Sequence, residues 1–218
     1  MGQKVMKPPG KCKTQLPDPA SGSTKTRASP YKRAMYERTV NSRTAFQGRL
    51  LRIDVHEVEL ADGRRSAREI VCHPGAAVIL AERDDGRFVL VRQYRKAIER
   101  VLLEVVAGTL DPPESPAACA DRELREETGY TARRLTFLGR VVPVPGYSQE
   151  ILHVFHAWVD GVAAAPTPDA DEQVESVLLA PDELERMITA GEIEDGKTLA
   201  AWMLYRQRRH LIERGETP

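Results

Sequence analysis

One short segment of the chain carries three glutamates beside an arginine, at Arg122, Glu123, Glu126 and Glu127. If the segment is helical, with about 100° of rotation per residue, the three carboxylates project from one face within an arc of about 100°. Like charges at this spacing repel each other. A solvated acidic face is one interpretation. The other is a site for a hard cation such as Mg²⁺ or Mn²⁺, which prefers carboxylate oxygens and holds phosphate groups.

The spacing of the flanking residues favours the cation site. Gly108 is followed after five residues by Glu114 and, after seven more, by RELREETGY (122–130). This series resembles the complete signature of the Nudix hydrolases, with Tyr130 in place of the usual aliphatic residue. The resemblance implies an α/β/α sandwich whose loop–helix–loop segment binds divalent ions. It also implies hydrolysis of a nucleoside diphosphate linked to another group.

The same resemblance assigns roles within the segment. Glu123 and Glu127 are predicted to be the main metal ligands, with Glu126 as a further ligand or bridge and the backbone carbonyl of Ala107 beside them. The expected metal is Mg²⁺, with Mn²⁺ as a substitute. Arg122 resembles the arginine that orients a glutamate, so Arg122 and Glu126 also count as catalytic candidates.

Three more positions follow from the resemblance. Glu114 matches a helper carboxylate near the metals, and Gly108 permits a close approach of the backbone there. Glu172, in the acidic segment TPDADEQVES (167–176), aligns with the catalytic base, which orients or deprotonates the attacking water. An acidic loop of this kind is otherwise a solvated loop.

The substrate is indicated by residues outside the signature. Pro145 and Gly146 lie in PVPGYSQE (143–150), a context similar to the ADP-ribose pyrophosphatases among the Nudix hydrolases. By itself a Pro-Gly pair marks only a turn. The resemblance continues through 70–114, where Arg95 matches an arginine that approaches the substrate phosphates and Glu104 a glutamate near the metals. A surface salt bridge is the alternative for Arg95.

The chain pattern supplies elements to position these residues. Ser115 and Pro116 are suited to start the charged helix and Gly129 to end it. Strand patterns occur at 76–80, 88–94, 101–108, 134–142, 151–159 and 174–180. Two more helices are predicted, over 182–190 and from a cap at Asp195 or Thr198 to about 213. This mixture predicts an α+β fold with a mixed sheet.

Three regions are predicted along the chain. Residues 1–42 are basic and rich in Pro, Ser and Thr, which indicates a disordered tail. Residues 43–73 are predicted to form a β-hairpin, which resembles the segment that these enzymes exchange across a homodimer to hold the adenine. Arg68 in this segment is a candidate for a phosphate or ribose contact. The Nudix hydrolase domain is predicted to span 74–218.

Bulk composition narrows the possible partners. The 32 basic and 32 acidic residues cancel, so the overall charge gives no argument for nucleic acid or an anionic membrane as the main partner. The three cysteines are too scattered for a disulfide framework. No apolar run reaches the length of a membrane span, and the first residues lack the apolar segment of a secretory signal. We therefore expect a cytoplasmic enzyme.

Together these patterns predict Mg²⁺-dependent hydrolysis of ADP-ribose to AMP and ribose 5-phosphate. Another nucleoside diphosphate sugar, such as GDP-mannose or UDP-glucose, is the first alternative because the signature does not select the sugar. A non-catalytic sensor of ADP-ribose is the second alternative, although every carboxylate of the signature is present.

Overall fold

The computed structural model describes residues 36–111, 113–161, 163–167 and 173–214. Ten strands and three helices lie in these ranges. The strands are β1 Glu37–Gln47, β2 Arg52–Leu60, β3 Arg65–Cys72, β4 Ala76–Arg83, β5 Phe88–Arg95, β6 Arg100–Glu104, β7 Val106–Thr109, β8 Ala132–Val141, β9 Leu152–Val159 and β10 Val174–Leu179. The helices are α1 Pro116–Thr128, α2 Pro181–Thr189 and α3 Gly196–Arg214.

The larger of two compact units contains Pro74–Pro143 and the residues from Glu150 onward. Its sheet has the order β10-β5-β4-β9-β8, with β6 paired to β5 and β7 paired to β4. Strands β4 and β9 are parallel, and the other pairs are antiparallel. The sheet is therefore mixed, as predicted.

Helices cover both faces of this sheet. Because side chains alternate along a strand, β4 sends Ala77 and Ile79 to one core and Val78 and Leu80 to another. The first core includes Cys119, Ala120 and Leu124 of α1, and the second includes Leu184 of α2 with Ala201, Trp202, Tyr205 and Ile212 of α3. The prediction of an α/β/α sandwich is confirmed.

The smaller unit contains the described residues up to His73 together with Val144–Gln149. Its antiparallel sheet has three strands in the order β1-β2-β3, one more than the predicted hairpin. The segment 144–149 joins it through backbone hydrogen bonds, from Val71 N to Tyr147 O at 2.7 Å and from Gln149 N to Val71 O at 3.0 Å. The predicted boundary of 74–218 therefore has one exception, since 144–149 packs with the N-terminal unit.

The predicted tail requires a correction at its end. Residues 37–42 belong to β1, which pairs with β2 along its whole length, so the prediction that residues up to 42 are disordered is wrong for this part. All but one of the side chains of β1 are exposed, so the strand has no apolar alternation that a sequence pattern could detect. Residues 1–35 of the predicted tail lie outside the described residues.

A second correction concerns 101–108, which was predicted to be one strand. The segment divides at Val105 into β6 and β7, because the first half pairs with β5 and the second with β4. The Val105 amide N–H leaves the sheet and donates to Thr198 Oγ1 at 2.9 Å. A continuous apolar run does not reveal such an exchange of partners.

In the described part of the chain, no helix combines the length and the apolar character needed to cross a membrane.

Candidate active and metal-binding site

Helix α1 is fixed at both ends by the residues that predicted it. The Ser115 hydroxyl accepts a hydrogen bond from the Ala118 N–H at 3.2 Å, and Pro116 follows in the first turn. Gly129 ends the helix in the left-handed conformation, with φ of 74°. Leu124 is fully buried against the sheet. This packing sets the rotation of the helix and therefore the direction of its carboxylate face.

The three glutamates of that face differ in burial. The Glu127 residue is 4% exposed and the Glu123 side chain 13%, whereas the Glu126 side chain is 36% exposed. Buried carboxylates are costly unless a cation or hydrogen bonds compensate them. Glu127 and Glu123, predicted as the main ligands, are thus less exposed than Glu126, and their role as ligands stays a prediction.

Arg122 connects the acidic groups around it. Its guanidinium donates to both oxygens of Glu114 at 2.7 and 3.2 Å, to Glu123 Oε1 at 2.6 Å and to Glu126 Oε2 at 3.0 Å. The hydrogen bonds to Glu114 and the charges of the other glutamates raise the pKa of Arg122, and the Arg122 hydrogen bonds lower the pKa of Glu114. One permanent cation thus orients two of the three carboxylates of the face, as the orienting role predicts.

The backbone of β7 closely approaches Glu123. A Cβ atom added to Gly108 would lie 1.8 Å from Glu123 Cδ and 2.0 Å from its Oε1, so only glycine leaves room for the carboxylate. The Cys119 thiol, on the inner face of α1, donates to the Gly108 and Thr109 carbonyls at 3.5 and 3.6 Å. Burial raises the pKa of Cys119 to about 12, so the thiol stays protonated and structural.

The donor chemistry of this region fits a divalent cation. Three carboxylates, those of Glu114, Glu123 and Glu126, share the Arg122 guanidinium, and carboxylate oxygens are the ligands that Mg²⁺ prefers. Among the described residues, no three acidic, histidine or cysteine side chains form a ready-made metal cluster. Arg122 instead holds one oxygen each of Glu123 and Glu126. The case for a metal therefore rests on the type of donor atoms, on their burial and on the close approach of the Glu123 carboxylate to Gly108.

A second charged network includes Arg95 and Glu104. The Arg95 Nε and Nη2 atoms donate to the two Glu104 oxygens at 2.8 and 2.6 Å. Lys197 Nζ donates to Glu104 Oε2, and Glu104 is 1% exposed. Burial raises the pKa of Glu104, but the Arg95 hydrogen bonds and the Lys197 charge outweigh it and hold the pKa below the ordinary value. Arg95 thus forms a salt bridge, with an inaccessible rather than a surface carboxylate.

Arg95 also lies within electrostatic reach of the metal-ligand candidates. Its pKa is raised first by the Glu104 hydrogen bonds and then by nearby negative charges, which include Glu127 and Asp195. The structure thus links three predicted site residues in the larger unit: Arg95, Glu104 and Glu127.

Sequence reasoning did not assign the other half of this network to the site. Lys197 Nζ also donates to Asp195 Oδ1 at 3.1 Å, and Asp195 Oδ2 accepts from the Thr198 N–H at 2.9 Å. Asp195 was expected only as a helix cap, which it is. Nothing in the sequence indicated that Lys197 reaches Glu104 of β6, because these two residues lie 93 positions apart in the chain.

The remaining substrate-binding candidates lie in the smaller unit. Arg68 on β3 forms an ion pair with Glu37 at 2.5 Å and also donates to Ser66 Oγ at 2.9 Å. Pro145 and Gly146 form a turn in which the Tyr147 and Ser148 amides donate to the Val144 carbonyl at 3.2 and 3.0 Å. These assignments to substrate binding stay predictions. Glu172, the predicted base, lies outside the described residues.

One histidine belongs to the core, in line with the structural role expected for the histidines. His156 is fully buried, its Nε2 lies 2.9 Å from Glu82 Oε2, and its ring stacks on Tyr205. The Tyr205 hydroxyl donates to the same Glu82 oxygen at 3.1 Å. Burial raises the pKa of Tyr205, so it remains a neutral donor.

Comparison with known families agrees with this geometry. Residues 72–202 match the NUDIX domain model, which covers more than half of the 218 residues. The chain belongs to the Nudix hydrolase family. Residues 37–71 match a second Nudix-associated model, the nucleoside diphosphate sugar hydrolase N-terminal domain. The second match begins at the first residue of β1, which supports the corrected boundary.

Several relatives of this Nudix protein carry functional names. An ADP-ribose pyrophosphatase of Bacillus subtilis is 39% identical over 78% of this chain and 92% of its own length. A methanol dehydrogenase activator of Bacillus methanolicus is 38% identical over 76% of this chain and 90% of its own. A GDP-mannose pyrophosphatase of Klebsiella pneumoniae is 35% identical over 69% of this chain and 81% of its own.

A solved structure agrees with the fold. The crystal structure of an ADP compounds hydrolase superimposes with a TM-score of 0.70, covering 82% of this Nudix chain and 96% of the other. The two sequences are 24% identical, so this similarity concerns the fold alone.

Proposed function

We propose that the protein is a pyrophosphohydrolase that cleaves ADP-ribose to AMP and ribose 5-phosphate with Mg²⁺ as its metal. The observation that carries the reaction type is the carboxylate face of α1, with Glu127 buried, the Glu123 side chain only 13% exposed, and Glu123 held against Gly108. An ordinary solvated acidic face would not bury one glutamate and hold a second against a glycine that has no room for a Cβ.

The choice of substrate has separate support. The N-terminal unit matches a domain named for nucleoside diphosphate sugar hydrolases, and the Bacillus subtilis relative is named for ADP-ribose. The Pro145–Gly146 turn hydrogen-bonds into that same unit through residues 147 and 149. These observations favour a nucleoside diphosphate sugar, and ADP-ribose first among them.

Glu123 and Glu127 would hold the metal, with Glu126 and the Ala107 carbonyl as further ligands. When bound, such an ion neutralises pyrophosphate charge and lowers the pKa of a water molecule. In the hydrolysis, the water oxygen bonds to one phosphorus while the bond from that phosphorus to the bridging oxygen breaks. The bridging oxygen leaves with the other phosphate, and the protons pass to the base and the solvent.

The chain's own residues prepare this reaction. Arg122 fixes the Glu123 and Glu126 carboxylates through its hydrogen bonds. Arg95 Nε and Nη2 donate to Glu104, and its 39% exposed side chain would donate to a phosphate oxygen through Nη1. Glu172 would orient the attacking water, and Arg68 with the Pro145–Gly146 turn would contact the nucleotide or ribose.

The setting of the enzyme is also part of the proposal. We place it in the cytoplasm as a homodimer that exchanges its N-terminal β segment, with no nucleic acid partner. Sedimentation of the full chain tests the dimer, and a variant lacking residues 36–73 should sediment as a monomer. Mn²⁺ should replace Mg²⁺ in the reaction because it accepts the same oxygen ligands.

Hydrolysis of GDP-mannose is the second candidate, favoured by the Klebsiella pneumoniae relative. The non-catalytic sensor is less favoured, since a sensor has no need for the buried carboxylates. A substrate panel separates these functions.

The decisive experiment incubates the full chain with ADP-ribose, GDP-mannose and UDP-glucose in Mg²⁺ or Mn²⁺ and measures the phosphomonoesters released. We expect AMP and ribose 5-phosphate from ADP-ribose, with a kcat/KM at least about tenfold above those of the other sugars. A higher value for GDP-mannose would replace the substrate assignment. No release from any sugar, with ADP-ribose bound tightly, would favour the sensor.

A further inference from the structure

The start of α3 and strand β6 are connected by three polar contacts. Arg100 pairs with Glu194 at 2.8 Å, Lys197 pairs with Glu104, and the Thr198 hydroxyl accepts from the Val105 N–H at 2.9 Å. They lie immediately before β7, which carries Gly108. The helix start is thus tied to the strands of the candidate site through Arg100, Lys197 and Thr198, to which the proposed reaction gives no role.

Lys197 is the central cation of this connection. Its side chain is only 15% exposed and lies between Glu104 and Asp195. Asp195 in turn is fixed by hydrogen bonds from the Thr198 N–H at 2.9 Å and the Thr198 hydroxyl at 2.5 Å. A lysine held on two carboxylates, one of them a helix cap, loses the rotamer freedom that is typical of this side chain.

The charges of this network are balanced. Arg95 and Lys197 face Glu104 and Asp195, so two cations meet two anions. Removal of Lys197 would leave Glu104 with Arg95 as its remaining cation in this network and give the network a net negative charge. The positive charge of Arg95 would then be compensated by a Glu104 carboxylate that Lys197 no longer shares, so the Arg95 guanidinium would attract a substrate phosphate less strongly.

We propose that Lys197 is a positioning residue. It supplies one of the two positive charges that compensate the Glu104 carboxylate and thereby leaves the Arg95 guanidinium able to bind a substrate phosphate. This inference rests on the proposed function, in which Arg95 contacts the pyrophosphate. Lys197 acts through Glu104 and Arg95 without touching the substrate. Its loss should therefore weaken substrate binding more than it slows the chemical step.

A double-mutant cycle between Lys197 and Arg95 tests this route. Lys197→Met should raise KM about tenfold and lower kcat less than about threefold, while Lys197→Arg should stay within about twofold of wild type. In an Arg95→Met background, Lys197→Met should change KM less than about twofold, because the residue through which it acts is gone. Lys96→Met, at an exposed lysine paired with Glu99 at the turn between β5 and β6, serves as the matched control.

The cycle also separates positioning from a structural role. The same factor in KM in both backgrounds would overturn the proposal, as would no change of KM in Lys197→Met. If Lys197→Met does not fold, Lys197→Gln takes its place, since it keeps a hydrogen-bond donor without the charge. We expect it to raise KM by a larger factor than it lowers kcat. Thermal unfolding of all variants shows whether the KM changes follow stability, which the proposal says they do not.

The wild-type protein distinguishes a failure of this inference from a failure of the proposed function. If it hydrolyses another nucleoside diphosphate sugar instead of ADP-ribose, the cycle is repeated with that sugar. If it hydrolyses none, calorimetric titration of ADP-ribose in EDTA gives Kd for the same variants, with the same coupling expected. Absence of any binding by the wild type would overturn both proposals.

Discussion

Two charged networks in the larger unit handle buried carboxylates in different ways. At α1 and the turn before it, Glu114, Glu123 and Glu126 share one arginine, Arg122. At the start of α3, Glu104 and Asp195 are matched by Arg95 and Lys197. The first network has an excess of negative charge and the second has none.

The difference in charge indicates a difference in role. Carboxylates without sufficient cations repel each other, so the α1 face is suited to bind a cation from solution. A balanced set needs no external ion and holds its members in fixed positions through charge-assisted hydrogen bonds. The α1 network is thus arranged for binding and the α3 network for orientation.

The strongest test of the binding role removes the most buried of the three carboxylates on the face. Glu127→Gln should lower kcat at saturating Mg²⁺ by roughly 10²- to 10³-fold, because a neutral amide is a poor ligand for a hard cation. Thermal unfolding should change little, since the amide has the same shape. Asp121→Asn, at a half-exposed residue of the same helix, should retain activity. Near-normal turnover of Glu127→Gln would falsify the metal-ligand role.

The space at Gly108 that the Glu123 carboxylate occupies can be tested without changing a charge. Gly108→Ala places a methyl group where the Glu123 carboxylate lies, so this side chain must move away. We expect a loss of roughly 10- to 100-fold in kcat/KM or in Mg²⁺ affinity, the usual scale for displaced metal-site residues. Gly161→Ala, where the new Cβ would meet only Arg83 at 3.5 Å, is the control. If Gly108→Ala and Gly161→Ala have the same kcat/KM and the same Mg²⁺ affinity, the space at Gly108 has no role in the site.

Removal of Arg122 should make the charge imbalance visible in stability. Arg122→Met is expected to destabilise the metal-free protein by about 1–3 kcal/mol, because three partly buried carboxylates lose their shared partner. Mg²⁺ should then raise its melting temperature more than that of the wild type, since the ion replaces the missing charge. Arg125→Met, an exposed partner of Asp121, should change stability by less than about 0.5 kcal/mol. An identical Mg²⁺ shift in both variants would contradict this account.

The balanced network of Arg95, Glu104, Asp195 and Lys197 should add a small pH dependence to the free energy of unfolding. The pKa of Glu104 is lowered in the folded state by Arg95 and Lys197. Its contribution is therefore complete above the ordinary glutamate pKa of about 4.3 and is lost as pH falls through the lowered value. Between pH 6 and pH 3, Glu104→Gln should lose less stability than the wild type, because it has no carboxylate to protonate. Denaturant unfolding measures this, with the exposed Glu175→Gln expected to follow the wild type.

Local sequence was sufficient for α1 because each of its signals acts within a few residues. Ser115 caps the helix, Gly129 ends it, and the spacing of Glu123, Glu126 and Glu127 places them on one face in any helix. The resemblance to the Nudix hydrolases was confirmed for the same reason, as it rests on residue types at fixed spacing.

Sequence patterns were least informative where backbone pairing decides the structure. Strand β1 is polar and exposed, and its register with β2 depends on hydrogen bonds from main-chain groups that every residue has. The break at Val105 has the same origin, because both halves of the apolar run are equally suited to a sheet. In both places the identity of the neighbouring strand supplied what the side chains did not.

The sequence by itself determined the family, the reaction type and the residues on the carboxylate face, because these depend on short spacings and on the chemistry of single side chains. Only the tertiary structure decided which glutamates are buried, that Glu123 requires the empty space at Gly108, and that Lys197 and Arg95 share Glu104. Burial and charge sharing arise from residues far apart in the chain. They exist only once packing has brought those residues within a few ångströms of each other.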